Sequence, residues 1–246
     1  MLRLSFIREA GILSTKVIIT AAGSGKRMGK ETPKPYLTLA GQPLILHTLI
    51  KFQNSECVDD IVLVVRKNEL AWVKDEIIAG YHLTKVTQVI EGGKERQDSV
   101  ACGLKQIWDV NDNNDIVMVH DGARPFVSQD MIRECINGTQ SHGACIVGLK
   151  ITDTIKQIDS ANLIKGTIPQ KELWIAQTPQ CFRLSLLKEA FLCAEKDGFY
   201  GTDEASLVER LPHPVRIIPG SFWNIKITYP RDVRIAEKIL KMGILS

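Results

Sequence analysis

KVIITAAGSGKRMGKETPKPY, residues 16–36, joins a β-branched run to a glycine-rich loop crowded with cations. A short apolar run that stops at such a turn reads as a parallel strand buried on both faces. A glycine-rich turn at a strand end exposes backbone N–H groups that can cradle phosphate. The spacing excludes two familiar phosphate loops. A P-loop needs four residues between its glycines and then Lys-Ser/Thr, but five separate Gly23 from Gly29, and Lys30 precedes Glu31. The dinucleotide pattern G-x-G-x-x-G fails because Met28 stands three residues after Gly25. Lys26, Arg27, Lys30 and Lys34 put four cations into nine residues, and Pro33 and Pro35 stiffen the exit. A loop of this kind after a first strand points to a polyanionic ligand.

Working outward, the same strand signal returns at DIVLVV (60–65), KVTQVIE (85–91), DIVMVH (115–120) and ACIVGL (144–149). Between these runs the apolar residues take helical spacing: Leu70, Val73 and Ile77; Val100, Leu104, Ile107 and Trp108; Met131, Ile132, Cys135 and Ile136 behind Ser128 as N-cap. Further helices are expected around Leu184–Ala194 and after Pro230, where Asp232 lies in the first turn. Strands alternating with helices predict an α/β fold: a Rossmann-like three-layer α/β/α arrangement with a mostly parallel central sheet. One stretch breaks the rhythm. KITDTIKQIDSANLIKGTIPQKE, residues 150–172, alternates Ile with polar residues around a turn-like DSAN, which predicts a protruding β-hairpin. A lone hairpin is marginal, so its outward Ile and Leu residues are expected to pack on another subunit as a dimerisation arm. Residues 1–15 read as a loose N-terminal extension and 16–246 as a single domain.

The composition agrees. At 246 residues, 44% hydrophobic and 24% charged, the chain has the profile of a globular protein. A net charge of +3 is too even for a protein whose main work is coating nucleic acid, and no apolar run approaches the roughly 18–20 residues of a membrane span. The six cysteines form no C-x-x-C pair, so neither a zinc site nor a redox dithiol is signalled. Free thiols suit a reducing cytoplasm, or a plastid stroma if the source is a plant or alga.

Beyond the first loop, GGKERQDSV (92–100), VHDGARPFVS (119–128), DTIK (153–156), QTPQCF (177–182), TDEASLVE (202–209) and NIKIT (224–228) follow in order. With AAGSGKRM and PK of residues 21–34, this set resembles the nucleotidyltransferases that activate sugar and polyol phosphates, and in order and spacing the 2-C-methyl-D-erythritol 4-phosphate cytidylyltransferase family. The resemblance implies cytidylyl transfer from CTP to a polyol phosphate, with release of pyrophosphate, in the non-mevalonate route to isoprenoids. It further implies that Arg27 and Lys34 hold the triphosphate and that Lys226 approaches from the acceptor side, the three forming the catalytic set. Ala21, Ala22, Gly23, Gly25 and Gly93, with Arg96 and Ser99, would bind the nucleotide and read cytosine. Arg124 and Thr178, with Gln170 from the arm, would bind the acceptor, and Asp121 would ligate Mg2+, a hard cation that wants oxygen. His120 reads as a packed strand-end histidine, and Asp203 and Glu204 as organisers of the pocket from a helix start.

Three positions depart from the family pattern. Gln170 in the arm stands where the family carries an Arg, and cannot replace a bidentate phosphate contact. Trp223 precedes Asn224 where an acid is frequent, which removes a second carboxylate for the metal. Lys94 follows the two glycines in place of a frequent acid. These departures leave two other readings open at this point: a ribitol 5-phosphate cytidylyltransferase, and a catalytically silent nucleotide-binding regulatory protein. The presence together of Arg27, Lys34, Asp121 and Lys226 speaks for an enzyme.

Overall fold

The computed structural model describes residues 13–23, 37–108 and 115–243. Gly25, Arg27 and Lys34, with Lys26 and Lys30, lie outside the described residues. The first strand, β1, spans Thr15–Thr20 and opens one residue before the expected Lys16, with Ser14 already buried. Two short strands, β2 (Thr38–Leu39) and β3 (Gln42–Pro43), form a small hairpin ahead of helix α1 (Leu44–Gln53). The other expected strands appear as β4 (Asp60–Val65), β5 (Val86–Glu91), β6 (Ile116–Asp121) and β7 (Ala144–Lys150). The hairpin strands are β8 (Ile155–Ile158) and β9 (Ile164–Ile168). They pair only with each other, around a turn in which Asp159 Oδ1 accepts from the N–H groups of Ala161 and Leu163.

Two sheet strands were not legible in the sequence: β10 (Trp174–Arg183) and β11 (Arg216–Pro219). The main sheet has seven strands in the order β11-β7-β10-β6-β1-β4-β5. Every pairing in it is parallel except those of β10, which runs antiparallel to both β6 and β7. Proline is out of place in a central strand because it cannot donate to the ladder. The chain accommodates Pro179 by slipping register between Ala176 and Gln180, so pairing resumes beyond it.

Helix α2 (Leu70–Trp72) widens into a π-helical turn, Val73–Ala79, that still buries Val73 and Ile77. It is followed along the chain by α3 (Arg96–Gln106), α4 (Gln129–His142), α5 (Leu184–Asp197), α6 (Glu204–Val208) and α7 (Pro230–Lys241). Successive strand residues face opposite sides, and β1 shows it: Val17 and Ile19 join α1 and α4 in one core, while Ile18 joins α3, α5 and α6 in the other. The result is the expected three-layer sandwich. α7 closes a smaller core with Leu39, Phe126 and Ile227, and so packs the 224–228 segment against the end of the sheet.

Candidate active site

The carboxyl ends of β6, β1, β4 and β5 lie side by side across the sheet, where open α/β sheets bind ligands. Asp121 is the last residue of β6, and its side chain is almost wholly enclosed. Three cations converge on it. Arg96, the first residue of α3, donates from Nε to Asp121 Oδ1 at 3.1 Å. Arg124, in the turn after β6, donates from Nε to Oδ2 at 3.3 Å. Lys226 Nζ lies 2.8 Å from the same oxygen. Burial opposes ionisation of Asp121, but Lys226, Arg96 and Arg124 outweigh it and hold the carboxyl far below the usual carboxylate range.

Arg96 is in turn gripped by Glu204, the first residue of α6. Its two terminal nitrogens donate to the two carboxylate oxygens at 2.7 and 2.9 Å, a bidentate fork. Glu204 is 1% exposed. Burial works against the charge on Arg96, yet Glu204 and Asp121 together raise its pKa. Arg96 is expected from the sequence to read cytosine. In the structure three of its N–H groups are committed to carboxylates, which makes it a strut between α6 and Asp121 and leaves little of it to face a base. Three cations against Asp121 and Glu204 leave one positive charge in excess at the strand ends.

His120 and Thr178 set the backbone of this turn. Thr178 Oγ1 accepts from Asp121 N–H at 3.1 Å and bonds His120 Nδ1 at 3.0 Å. On its other side the ring bonds the Arg124 carbonyl through Nε2 at 3.0 Å. That carbonyl can only accept, so Nε2 carries the proton and Thr178 donates to Nδ1. Burial pushes the His120 pKa down to about 4, leaving a neutral ring. His120 is therefore the packed strand-end residue expected. Thr178 is anticipated as an acceptor contact, but its hydroxyl hydrogen and one lone pair are already engaged inside the turn. Asn224, fully buried, donates to Thr178 O at 2.9 Å while its own carbonyl accepts from Arg124 at 2.8 Å, so it tethers Lys226 to β10 and β6 together.

The second wall of the site is the turn after β5. Ser99 Oγ donates to Glu95 O and accepts from Gly93 N–H at 3.2 Å, and Gly92 N–H donates to Val65 O. A Cβ on Gly92 would lie 2.6 Å from the Ala22 methyl, and one on Gly93 would meet Asp98 at 2.3 Å. Glycine is thus required at both positions for this turn to close on the first loop. Ala21 N–H is spent on Val64 O. Gly23 is the last described residue of the loop, and its carbonyl accepts from Arg66.

A divalent metal here would have one protein carboxylate. Asp121 has about four lone-pair positions, of which the three cations use three, with one left on Oδ1. Among the described residues no group of three or more His, Cys, Asp or Glu side chains could hold an ion unaided. Trp223 offers no oxygen next to Asn224. Magnesium commonly takes one or two carboxylates and completes its shell with substrate phosphate and water, so the donor set fits a metal that arrives with a nucleotide. Gln170 lies apart from this cluster, at the base of the hairpin, where its side chain donates to Thr152 O.

Arg66 is a residue that the sequence reading missed, and Glu204 one that it kept out of the catalytic set. Asp203 and Glu204 do organise α6 as expected: Asp203 caps it by accepting from Ser206 N–H. The partner that Glu204 holds lies 108 residues away, and no local pattern discloses it.

Residues 15–242 match the family model described as 2-C-methyl-D-erythritol 4-phosphate cytidylyltransferase. The protein of that name from Syntrophus aciditrophicus is 44% identical over 224 residues, which cover 91% of this chain and 94% of that one. The crystal structure of 4-diphosphocytidyl-2C-methyl-D-erythritol synthase from Anaerococcus prevotii superposes with a TM-score of 0.80 at 30% identity, covering 93% and 96% of the two chains. The Francisella tularensis 2-C-methyl-D-erythritol 4-phosphate cytidylyltransferase superposes with a TM-score of 0.77 at 34% identity, covering 92% and 99%.

Proposed function

We infer the function of this chain from the family to which it belongs, the 2-C-methyl-D-erythritol 4-phosphate cytidylyltransferases. It transfers the cytidylyl group of CTP to 2-C-methyl-D-erythritol 4-phosphate, giving the CDP-linked polyol and pyrophosphate for the non-mevalonate isoprenoid route. The reading rests above all on Asp121 at a strand end, with Arg96, Arg124 and Lys226 drawn onto its carboxylate.

An acceptor phosphate oxygen attacks the α-phosphorus of CTP while pyrophosphate leaves opposite, and negative charge gathers around one phosphorus. Cations already fixed on protein carboxylates stabilise that charge without reorganising. Lys226, about a third exposed, is the cation of the cluster most open to a ligand, and we assign it to the transferring group. Arg27 and Lys34 are assigned to the triphosphate on family grounds. Arg124 keeps its terminal Nη2 for the acceptor phosphate, its Nε and Nη1 being held by Asp121 and Asn224. Arg96 and Thr178 act as positioning residues, one aligning the Asp121 side chain and the other its backbone. No side-chain base is needed, because the acceptor phosphate is already anionic at pH 7. His120 is unsuited to the task, since both ring nitrogens are occupied.

Cytosine offers an exocyclic amine, a donor, and the carbonyls of Ala21, Ala22 and Gly93 are acceptors of the right kind, on two loops that close against each other at Gly92. Asp121 would hold Mg2+, and the ion would neutralise triphosphate charge. The protein works in the cytoplasm as a homodimer joined by the hairpin arm, whose Ile158, Leu163 and Ile164 are 50%, 65% and 66% exposed. Among the described residues no helix is long and apolar enough to cross a membrane. Pyrophosphate release from CTP with each acceptor offered separately tests the assignment. Turnover with 2-C-methyl-D-erythritol 4-phosphate is expected; turnover with ribitol 5-phosphate alone would overturn it.

A further inference from the structure

Strand β4 is flanked by the two loops assigned to the nucleotide. Ala21 N–H donates to Val64 O at 2.7 Å on one side, and Gly92 N–H to Val65 O at 2.8 Å on the other. The next residue, Arg66, reaches back to the first loop, where its Nη2 donates to the carbonyl oxygen of Gly23 at 2.6 Å. Glu69, at the end of the short 3-10 turn Lys67–Glu69, anchors it. Its Oε2 accepts from Arg66 N–H at 3.1 Å, and its Oε1 lies 3.6 Å from Arg66 Nε.

Glu69 is 3% exposed, and a carboxylate so enclosed is costly to bury unless paired. Its partner, however, is not drawn fully onto it. Arg66 Nε and Glu69 Oε1 stay at ion-pair distance without a hydrogen bond, while the short bond goes to Gly23. Gly23 needs such a hold. Among the described residues nothing lies within 4 Å of where its Cβ would stand, and glycine has the widest backbone freedom of any residue. A peptide unit is planar, so holding the carbonyl oxygen of Gly23 restricts the backbone rotation of Gly23 itself.

We propose that Arg66, held by the buried Glu69, is a positioning residue for the nucleotide, fixing Gly23 at the point where the loop assigned to CTP leaves β1. It rests on the assignment of that loop to CTP made above. The turn after β4 is thereby a third element of the nucleotide site, beside those after β1 and β5.

The test is equilibrium dialysis with radiolabelled CTP and Mg2+, alongside steady-state pyrophosphate release, on the wild type, Arg66→Gln, Arg66→Lys and Glu69→Gln. Loss of a charge-assisted bond that orders the loop is expected to weaken CTP binding about tenfold in Arg66→Gln. The KM for the polyol phosphate and the kcat at saturating CTP should stay within about twofold. Arg66→Lys should recover part of the affinity, since it keeps the charge but not the planar fork, and Glu69→Gln should show a smaller loss confined to CTP. Unchanged CTP affinity in Arg66→Gln, with an active wild type, overturns the proposal alone. So does a rise in KM for the polyol phosphate equal to that for CTP, the mark of a site disturbed as a whole. A wild type that does not bind CTP would remove the assignment of the loop itself, and the proposal with it.

Discussion

Replacing Glu204 with Gln removes one charge from the site and almost no volume. The carboxylate holds Arg96 through two hydrogen bonds of 2.7 and 2.9 Å. A glutamine oxygen can accept only one of them, and its amide would point a donor at the other guanidinium nitrogen. The loss of one charge-assisted bond amounts to about 1.5–3 kcal/mol. Breaking a fully buried pair costs about 3–5 kcal/mol, but the Arg96 side chain is 28% exposed, and water makes up part of the difference. We therefore expect about 2 kcal/mol of lost stability, which for a chain of this size lowers Tm by about 4–8 °C. The functional effect should be larger than the stability effect suggests. Arg96 also bonds Asp121 Oδ1, and a strut freed at one end no longer aligns the other, so kcat/KM should fall at least about tenfold. Thermal melting followed by circular dichroism gives the first quantity, and pyrophosphate release at 25 °C, well below either midpoint, gives the second. A Glu204→Gln protein with Tm within about 1 °C of wild type and unaltered kcat/KM would refute the strut.

Two further outcomes follow from the geometry. His120 is buried with its pKa lowered to about 4 from an ordinary 6.5, so between those values the unfolded chain binds the proton more tightly and stability falls as pH drops. Urea titrations of metal-free protein should show about 3 kcal/mol lost between pH 7 and pH 4 from this group, and His120→Gln should flatten that slope; an equal slope in both proteins would contradict the neutral buried ring. Replacing Ile155–Ile168 by a short Gly-Ser turn should leave a folded monomer by light scattering, since the arm pairs only with itself in the chain; an unchanged dimer would place the interface elsewhere.

The sequence disclosed what periodicity and local chemistry can carry. The five apolar runs became β1, β4, β5, β6 and β7 because strands buried on both faces are apolar throughout. Asp121 could be found from its place after such a run and before Gly122. The hairpin showed itself by alternation around DSAN. By contrast, β10 was hidden by Pro179 and by polar residues whose partners are other parts of the site: Gln180 bonds Asp203, and Thr178 bonds His120. The bonding of Arg96 to Glu204 was likewise invisible, since it depends on Glu204 arriving from α6. Arg66 gave no signal because its ligand is a backbone carbonyl, which has no letter in the sequence.

The central claim is that fixed positive charge at the strand ends acts on the transition state and not merely on binding. Lys226→Ala tests it most directly, by comparing kcat with the KM for each substrate. Loss of kcat by well over tenfold, with both KM values within a few-fold, is the expected result, since the charge is felt most where the phosphorus is most negative. An undiminished kcat with a raised KM would show that Lys226 only binds substrate, and would contradict the account.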